Sequence, residues 1–241
     1  MKQNNDGVMP ITSHLLELRK RLVVIFLTVL VFSFISFLFS EDLIKNLMSL
    51  SKGYKFIYNT PEALIIQSLK LAIMSGIVLS SPVIFFNIWM FVSPAFKVTE
   101  RVVITIIFTL GVVLFLVGCV FAYYIIIPFV LKFFVESNSI SELQAYVTLE
   151  GYISIIVSFF IAFGLVFELP VVLLCLDIAG IARRKTFVNM RKFAIVIICI
   201  VSGIITPPDV FSLIVTAIPM VILFELSLFI MYLYEKITKK N

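Results

Sequence analysis

Charge is scarce in this chain: Asp, Glu, Lys and Arg make up 14% of its 241 residues, against 61% hydrophobic. So few charged groups cannot solvate the surface of a water-soluble domain. With a mean hydropathy of +1.16 and 25 Phe, the sequence reads as a polytopic membrane protein. Histidine occurs once, as His14, which rules out a histidine-built metal site. Three cysteines, Cys119, Cys175 and Cys199, stand singly inside apolar segments. They read as small buried hydrophobes rather than disulfide or metal partners, and they say nothing of redox compartment. No GxxxxGK[ST] loop is present to cradle a nucleotide phosphate, and nothing resembles a nucleophile elbow or a carboxylate pair of a hydrolase. The expectation is a protein that is not an enzyme and holds no cofactor. Residues 1–22 contain no apolar core with a small-residue cleavage site, so they do not read as a removable signal peptide. There is no internal repeat or low-complexity tract, and residues 1–241 read as a single integral membrane domain.

What is present is a series of long apolar runs. A hydrocarbon core of about 30 Å takes roughly 20 helical residues to cross. Measured against that length, the runs give an all-α fold of six transmembrane helices, at about 23–40, 71–96, 102–131, 151–176, 193–206 and 210–234. The Pro207-Pro208 pair removes two backbone donors and forces a tight turn between the last two spans. The fifth is short, its fourteen residues rising only ~21 Å.

Lysine and arginine set the orientation. The N-terminal tail (Lys2, Arg19, Lys20, Arg21), second loop (Lys97, Arg101), fourth loop (Arg183, Arg184, Lys185, Arg191, Lys192) and C-terminal tail (Lys236, Lys239, Lys240) hold most of the 19. Only Lys45, Lys52, Lys55 and Lys132 fall opposite, with Lys70 at the mouth of the second span. Both termini are therefore expected in the cytoplasm. The high pI of about 9.1 follows from this asymmetry and is no argument for nucleic acid.

Against that cationic face two acids stand at span boundaries, Glu17 in HLLELRKRL (14–22) and Glu100. Two readings stand. Each acid decorates a span end, Glu17 pairing with Arg21 at i+4 and Glu100 beside Arg101. Alternatively the two carboxylates together receive a cationic peptide. Within the spans, Glu168 stands just before a Leu-Pro step that frees a backbone carbonyl, so water is expected to reach it; as an ionised group it costs a few kcal/mol or more. Glu225 reads as structural, and Asp209 as a turn residue and N-cap.

Five segments in order, HLLELRKRL, FVSPAFKVTER (91–101), FAYYIIIPFVLKF (121–133), FGLVFELPV (163–171) and ITPPDVFSLIVTAIPMVILFE (205–225), resemble the TatC family, the receptor subunit of the twin-arginine protein translocase. The resemblance implies a cupped six-helix bundle in the cytoplasmic (inner) membrane. It implies export of folded proteins driven by the proton-motive force, and recognition of signal peptides carrying two arginines. It also implies TatA-type and TatB-type single-span partners and a homo-oligomer within a larger complex. Carried over by position, Glu17, Arg19, Phe91, Phe96 and Glu100 would form the signal-peptide surface, and Tyr123, Glu168 and Asp209 would act within or beyond the membrane. Phe96-Lys97, Leu213 and TPEAL (60–64) depart from the family's usual residues. The competing class is an ion- or proton-coupled secondary transporter using Glu168, although the sequence shows no two similar halves.

Overall fold

A computed structural model describes residues 11–51, 55–57, 59–95, 98–137, 146–206 and 209–238. The first helix, α1 (Ile11–Leu38), contains neither Gly nor Pro, so the charged HLLELRKRL and the apolar run form one continuous rod. The span expected at 23–40 thus has an extension that carries Glu17 on the same rigid element. After Phe39 comes α2 (Ser40–Ser49), an amphipathic helix that buries Ile44 and Leu47 while Glu41 and Lys45 face outward. α3 (Ala63–Val92) begins eight residues before the expected start at Leu71, because Lys70 is carried inside the helix, where its Nζ donates to Ser154 Oγ at 3.2 Å.

The third crossing is composite. α4 (Val98–Phe121) leads through a π-helical turn, Ala122–Ile126, into α5 (Ile127–Ser137). Pro128 has no N–H to give to the preceding turn. The N–H of the preceding residue, Ile127, bonds to the Ala122 carbonyl five residues back, widening the coil. The fourth crossing breaks where the Leu-Pro step demands it: α6 (Leu149–Val166) ends, Phe167 and Glu168 make a turn, and α7 (Leu169–Ile178) follows with Pro170 in its first turn. Gly180, with φ 71°, closes α7, as Ile181 N–H bonds to Leu176 at 3.0 Å and Gly180 N–H to Asp177 at 3.0 Å. A short α8 (Arg184–Asn189) precedes α9 (Arg191–Ile205) and α10 (Val210–Thr238).

Among the described residues, five helical segments are long and apolar enough to cross a membrane: His14–Leu38, Ala63–Val92, Arg101–Phe133, Leu149–Ile178 and Val210–Lys236. The run expected as the fifth span is α9, whose fifteen residues rise ~22 Å.

The segments pack around α6. Phe159, Phe163, Ile153 and Ile156 meet Leu71 of α3 and Ile126 and Val130 of the third crossing. A second cluster joins α7, α9 and α10 through Leu174, Ile198, Met220 and Met231. α1 packs mainly along α3 and leaves the rest of its circumference exposed. Lys55–Ile57 (β1) and Tyr146–Thr148 (β2) form a parallel two-stranded sheet, Phe56 opposite Val147, which ties the α2–α3 and α5–α6 connections together.

Candidate functional site

The residues singled out in the sequence fall at three levels rather than in one cleft. At the N-terminal end of α1, Glu17 and Arg21 lie one turn apart, Arg21 Nη2 donating to Glu17 Oε1 at 3.2 Å with both side chains 24% exposed. Arg21 also reaches α3, where its Nη1 lies 3.5 Å from Asn87 Oδ1; Asn87 is buried and donates to the Val83 carbonyl at 2.8 Å. His14, three residues before Glu17, stacks on Phe91 of α3 at 4.3 Å between ring centres. These contacts fix the charged end of α1 against the end of α3. Arg21 engages one oxygen of Glu17, and Oε2 has no partner among the described residues. Arg19 is exposed beside them. Phe96 lies outside the described residues; Glu100 is placed in the first turn of α4.

Deeper in the fold is Glu168. It is 7% exposed, and neither carboxyl oxygen has a hydrogen-bond partner among the described residues. The carboxyl rests against α4 at Gly111, where a Cβ would come within 3.0 Å of Oε2 and 3.5 Å of Phe85. Gly111 lies ten residues beyond Arg101, ~15 Å along the helix and so near mid-membrane depth. The helix break matches the sequence expectation, but the burial departs from the expected wetting: Phe85, Phe115 and Phe167 close around the turn.

At the opposite end of the bundle from Glu17, the Tyr123 hydroxyl donates to Asn46 Oδ1 of α2 at 3.2 Å, and the Tyr152 hydroxyl to the Leu47 carbonyl at 2.5 Å. The π turn re-aims Tyr123 toward α2 and Phe160. Asp209 caps α10, its Oδ1 accepting from the Ser212 N–H at 2.7 Å, and Oδ2 is buried without a partner among the described residues. Glu225 pairs with Arg191 at 2.8 Å, in keeping with its structural reading.

Sequence reasoning singled out Glu17 but missed the contacts around it and around Tyr123: His14 on Phe91, Asn87 on Arg21, and Asn46 on Tyr123. Asn87 carries a usable signal, the one amide in the charge-free run 71–96, a group that must find a partner when buried.

This arrangement has known counterparts. The sequence profile described as "Sec-independent protein translocase protein (TatC)" matches residues 13–219. A protein of that name from Aquifex aeolicus is 33% identical, with 92% of this chain and 94% of the relative aligned. Its namesake from Escherichia coli K12 is 34% identical over 95% and 90%. Among solved structures, one described as "Twin Arginine Translocase Receptor- TatC" superposes with a TM-score of 0.82 at 31% identity, covering 91% of this chain and 98% of that one. The same receptor in DDM gives 0.83 at 32% identity, over 90% and 98%. Fold, motifs and relatives agree: this is a multi-pass membrane protein for protein transport, and the chain belongs to the TatC family of Sec-independent protein translocase proteins.

Proposed function

We propose that this protein is the receptor for signal peptides bearing two consecutive arginines, and the core subunit through which folded cargo leaves the cytoplasm under the proton-motive force. In this reading residues 1–241 are one membrane domain that crosses the inner membrane six times with both termini in the cytoplasm. It works in a homo-oligomer with TatA-type and TatB-type single-span subunits.

The observation that carries the reading is Glu17. Its carboxylate already receives a guanidinium, from Arg21, and its second oxygen is open to another. A guanidinium presents a planar fork that fits a carboxylate, which a lysine ammonium does not reproduce. Glu17 and Glu100 are the proposed acceptors, with Arg19, Phe91 and Phe96 shaping the surface around them. His14, stacked on Phe91, holds the aromatic wall in place.

The test is binding of an Arg-Arg signal peptide and its Lys-Lys twin to the purified protein. The parent should prefer Arg-Arg. Glu17→Ala and Glu100→Ala should each weaken Arg-Arg binding about tenfold, as expected for loss of a charge-assisted hydrogen bond. Equal binding of both peptides, unaffected by either substitution, would sink the proposal.

Arg21 makes a second prediction with the opposite sign. It competes for Glu17 inside the protein, and a partly exposed pair contributes at most ~1 kcal/mol. Arg21→Gln should therefore tighten Arg-Arg binding by no more than about fivefold. Weaker binding would instead mean that Arg21 positions Glu17 for the peptide.

α9 supplies a mechanical element. Phe193, Val196, Ile197, Ile200 and Ile204 are exposed along it, so one side of the short span faces lipid while Ile198 and Ser202 pack inward. A ~22 Å helix in a ~30 Å core favours local thinning of the bilayer, which would ease passage of a folded cargo. The solute-transporter alternative has only the buried Glu168 in its favour.

A further inference from the structure

The connection between α7 and α9 lies where two spans end, and its cations divide into two sets. Arg184 turns inward. Its Nε donates to the Leu228 carbonyl at 3.2 Å, its Nη1 lies 3.9 Å from Glu235, and its guanidinium stands 4.9 Å from the centre of the Tyr232 ring. Arg191 likewise turns to Glu225, at 2.8 Å. All of these partners sit on α10, so the two arginines fasten the connection to that helix. Asp177, the remaining acid of this corner, accepts from the Arg184 backbone N–H at 3.2 Å and has Arg183 in its field. Lys185 and Lys192 are left exposed, with no ion-pair partner among the described residues.

Beside these lysines stand large apolar side chains that the fold also leaves uncovered: Ile181 at 75% exposure, Met190 at 48% and Phe193 at 67%. In water such a set is unfavourable. At a membrane surface it fits, since apolar side chains enter the acyl boundary while lysines extend to the headgroups. An acidic protein partner would account for the lysines alone. Lipid also accounts for the exposed apolar row that continues from Phe193 through Val196 and Ile200 to Ile204 along α9.

We propose that Lys185 and Lys192, flanked by Ile181, Met190 and Phe193, form a binding site for the phosphodiester headgroups of anionic phospholipid in the leaflet that covers the α7–α9 connection. Lys192 is the second residue of α9, the helix too short for an undeformed bilayer. A headgroup held there is drawn to the end of that helix, so lipid charge and hydrophobic mismatch act at one place. The inference concerns lipid alone and does not depend on the arginine-peptide reading.

The experiment is native mass spectrometry of the full chain released from nanodiscs of equal phosphatidylethanolamine and phosphatidylglycerol. The parent should retain phosphatidylglycerol. In Lys185→Gln/Lys192→Gln the ratio of phosphatidylglycerol-bound to lipid-free protein should fall about fivefold for each lysine removed. Lys45→Gln/Lys132→Gln removes the same charge on the other side of the membrane and should leave the ratio near that of the parent. Retention unchanged in the first variant, or lost equally in the second, would overturn the proposal. So would displacement of the lipid by added inorganic phosphate that stays bound as an adduct, since the site would then be one for free phosphate.

Discussion

Glu168→Gln should leave the protein at least as stable as the parent while lowering export of an arginine-pair cargo about a hundredfold. The two halves of this expectation have separate origins. Stability follows from the environment: the carboxyl is 7% exposed, faces Gly111 and Phe85, and accepts no hydrogen bond from the described residues. A buried polar group without a partner is a cost to the fold, and a neutral side chain of the same shape does not add to it. For export, we propose that Glu168 changes its charge during the working step. An ionised group at mid-membrane depth differs from a neutral one by about 3 kcal/mol. If the working step exchanges a buried arrangement of this turn for a wetter one, that difference corresponds to about a hundredfold in the balance between them. A turn after Phe167 that already interrupts the span is suited to such an exchange. Thermal unfolding and cargo export measured on the same preparation separate the cases. Full export by Glu168→Gln would reduce Glu168 to a packing residue, and a lowered midpoint would show that the carboxyl has a stabilising partner.

The placement of that carboxyl rests on close helix crossings. A Cβ at Gly118 of α4 would come 2.6 Å from the Phe163 carbonyl oxygen, and one at Gly164 of α6 would come 2.7 Å from the Phe115 ring. These glycines let α4 and α6 approach backbone to backbone just before the Glu168 turn. In a membrane such contacts matter more than apolar area, because lipid tails are as apolar as the side chains they would replace.

These crossings explain what the sequence did and did not disclose. Spans were legible because the hydropathy of a run of residues can be read without knowing what it packs against. The Glu168 break was legible because Leu169-Pro170 acts locally through a missing N–H. α2 was not recognised, since Glu41 and Asp42 marked the end of an apolar run; yet Glu41 and Lys45 at i+4, with Ile44 and Leu47 on one side, spelled a short amphipathic helix. The three-residue strands were illegible because Lys55–Ile57 and Tyr146–Thr148 are too short for alternation and pair across some ninety residues. Arg191–Glu225 and Arg184–Glu235 join distant segments, so only the packing of α8 and α9 on α10 reveals which loop cations are spent and which are free. At the charged end of α1, the proposed receptor surface, Glu17 and Arg21 could be read from helical spacing, but the Asn87 and His14–Phe91 contacts needed the α1–α3 pairing.

That pairing is the ground for an expectation of opposite signs at two glycines. Gly76→Ala should lower the thermal midpoint by about 5 °C or more, whereas Gly203→Ala should hold or raise it. Both glycines lie inside helices, where alanine is the better helix former by up to ~1 kcal/mol, so propensity alone predicts a gain at both. Packing reverses the sign at Gly76. A Cβ there would collide with the Ser33 hydroxyl and lie 2.7 Å from the Ser33 nitrogen and 2.8 Å from its Cα, and backbone atoms cannot swing aside as a side-chain tip can. At Gly203 the nearest atom is Leu213 Cδ1 at 3.5 Å, an ordinary contact. Overpacking costs about 1–3 kcal/mol, and α1 has little else to hold it, since its outer circumference faces lipid. The displacement should also travel. α1 is one uninterrupted rod, and Glu17 stands sixteen residues before Ser33, ~24 Å along it. Pushing α1 off α3 at Gly76 therefore shifts Glu17 relative to Asn87 and Phe91, and Arg-Arg peptide affinity should fall in Gly76→Ala although no residue of the proposed surface has changed. Loss of stability with peptide affinity intact would show that the charged end of α1 is held independently by Arg21 and His14. Loss of both would make the Gly76 crossing the element that sets the geometry of the proposed receptor surface.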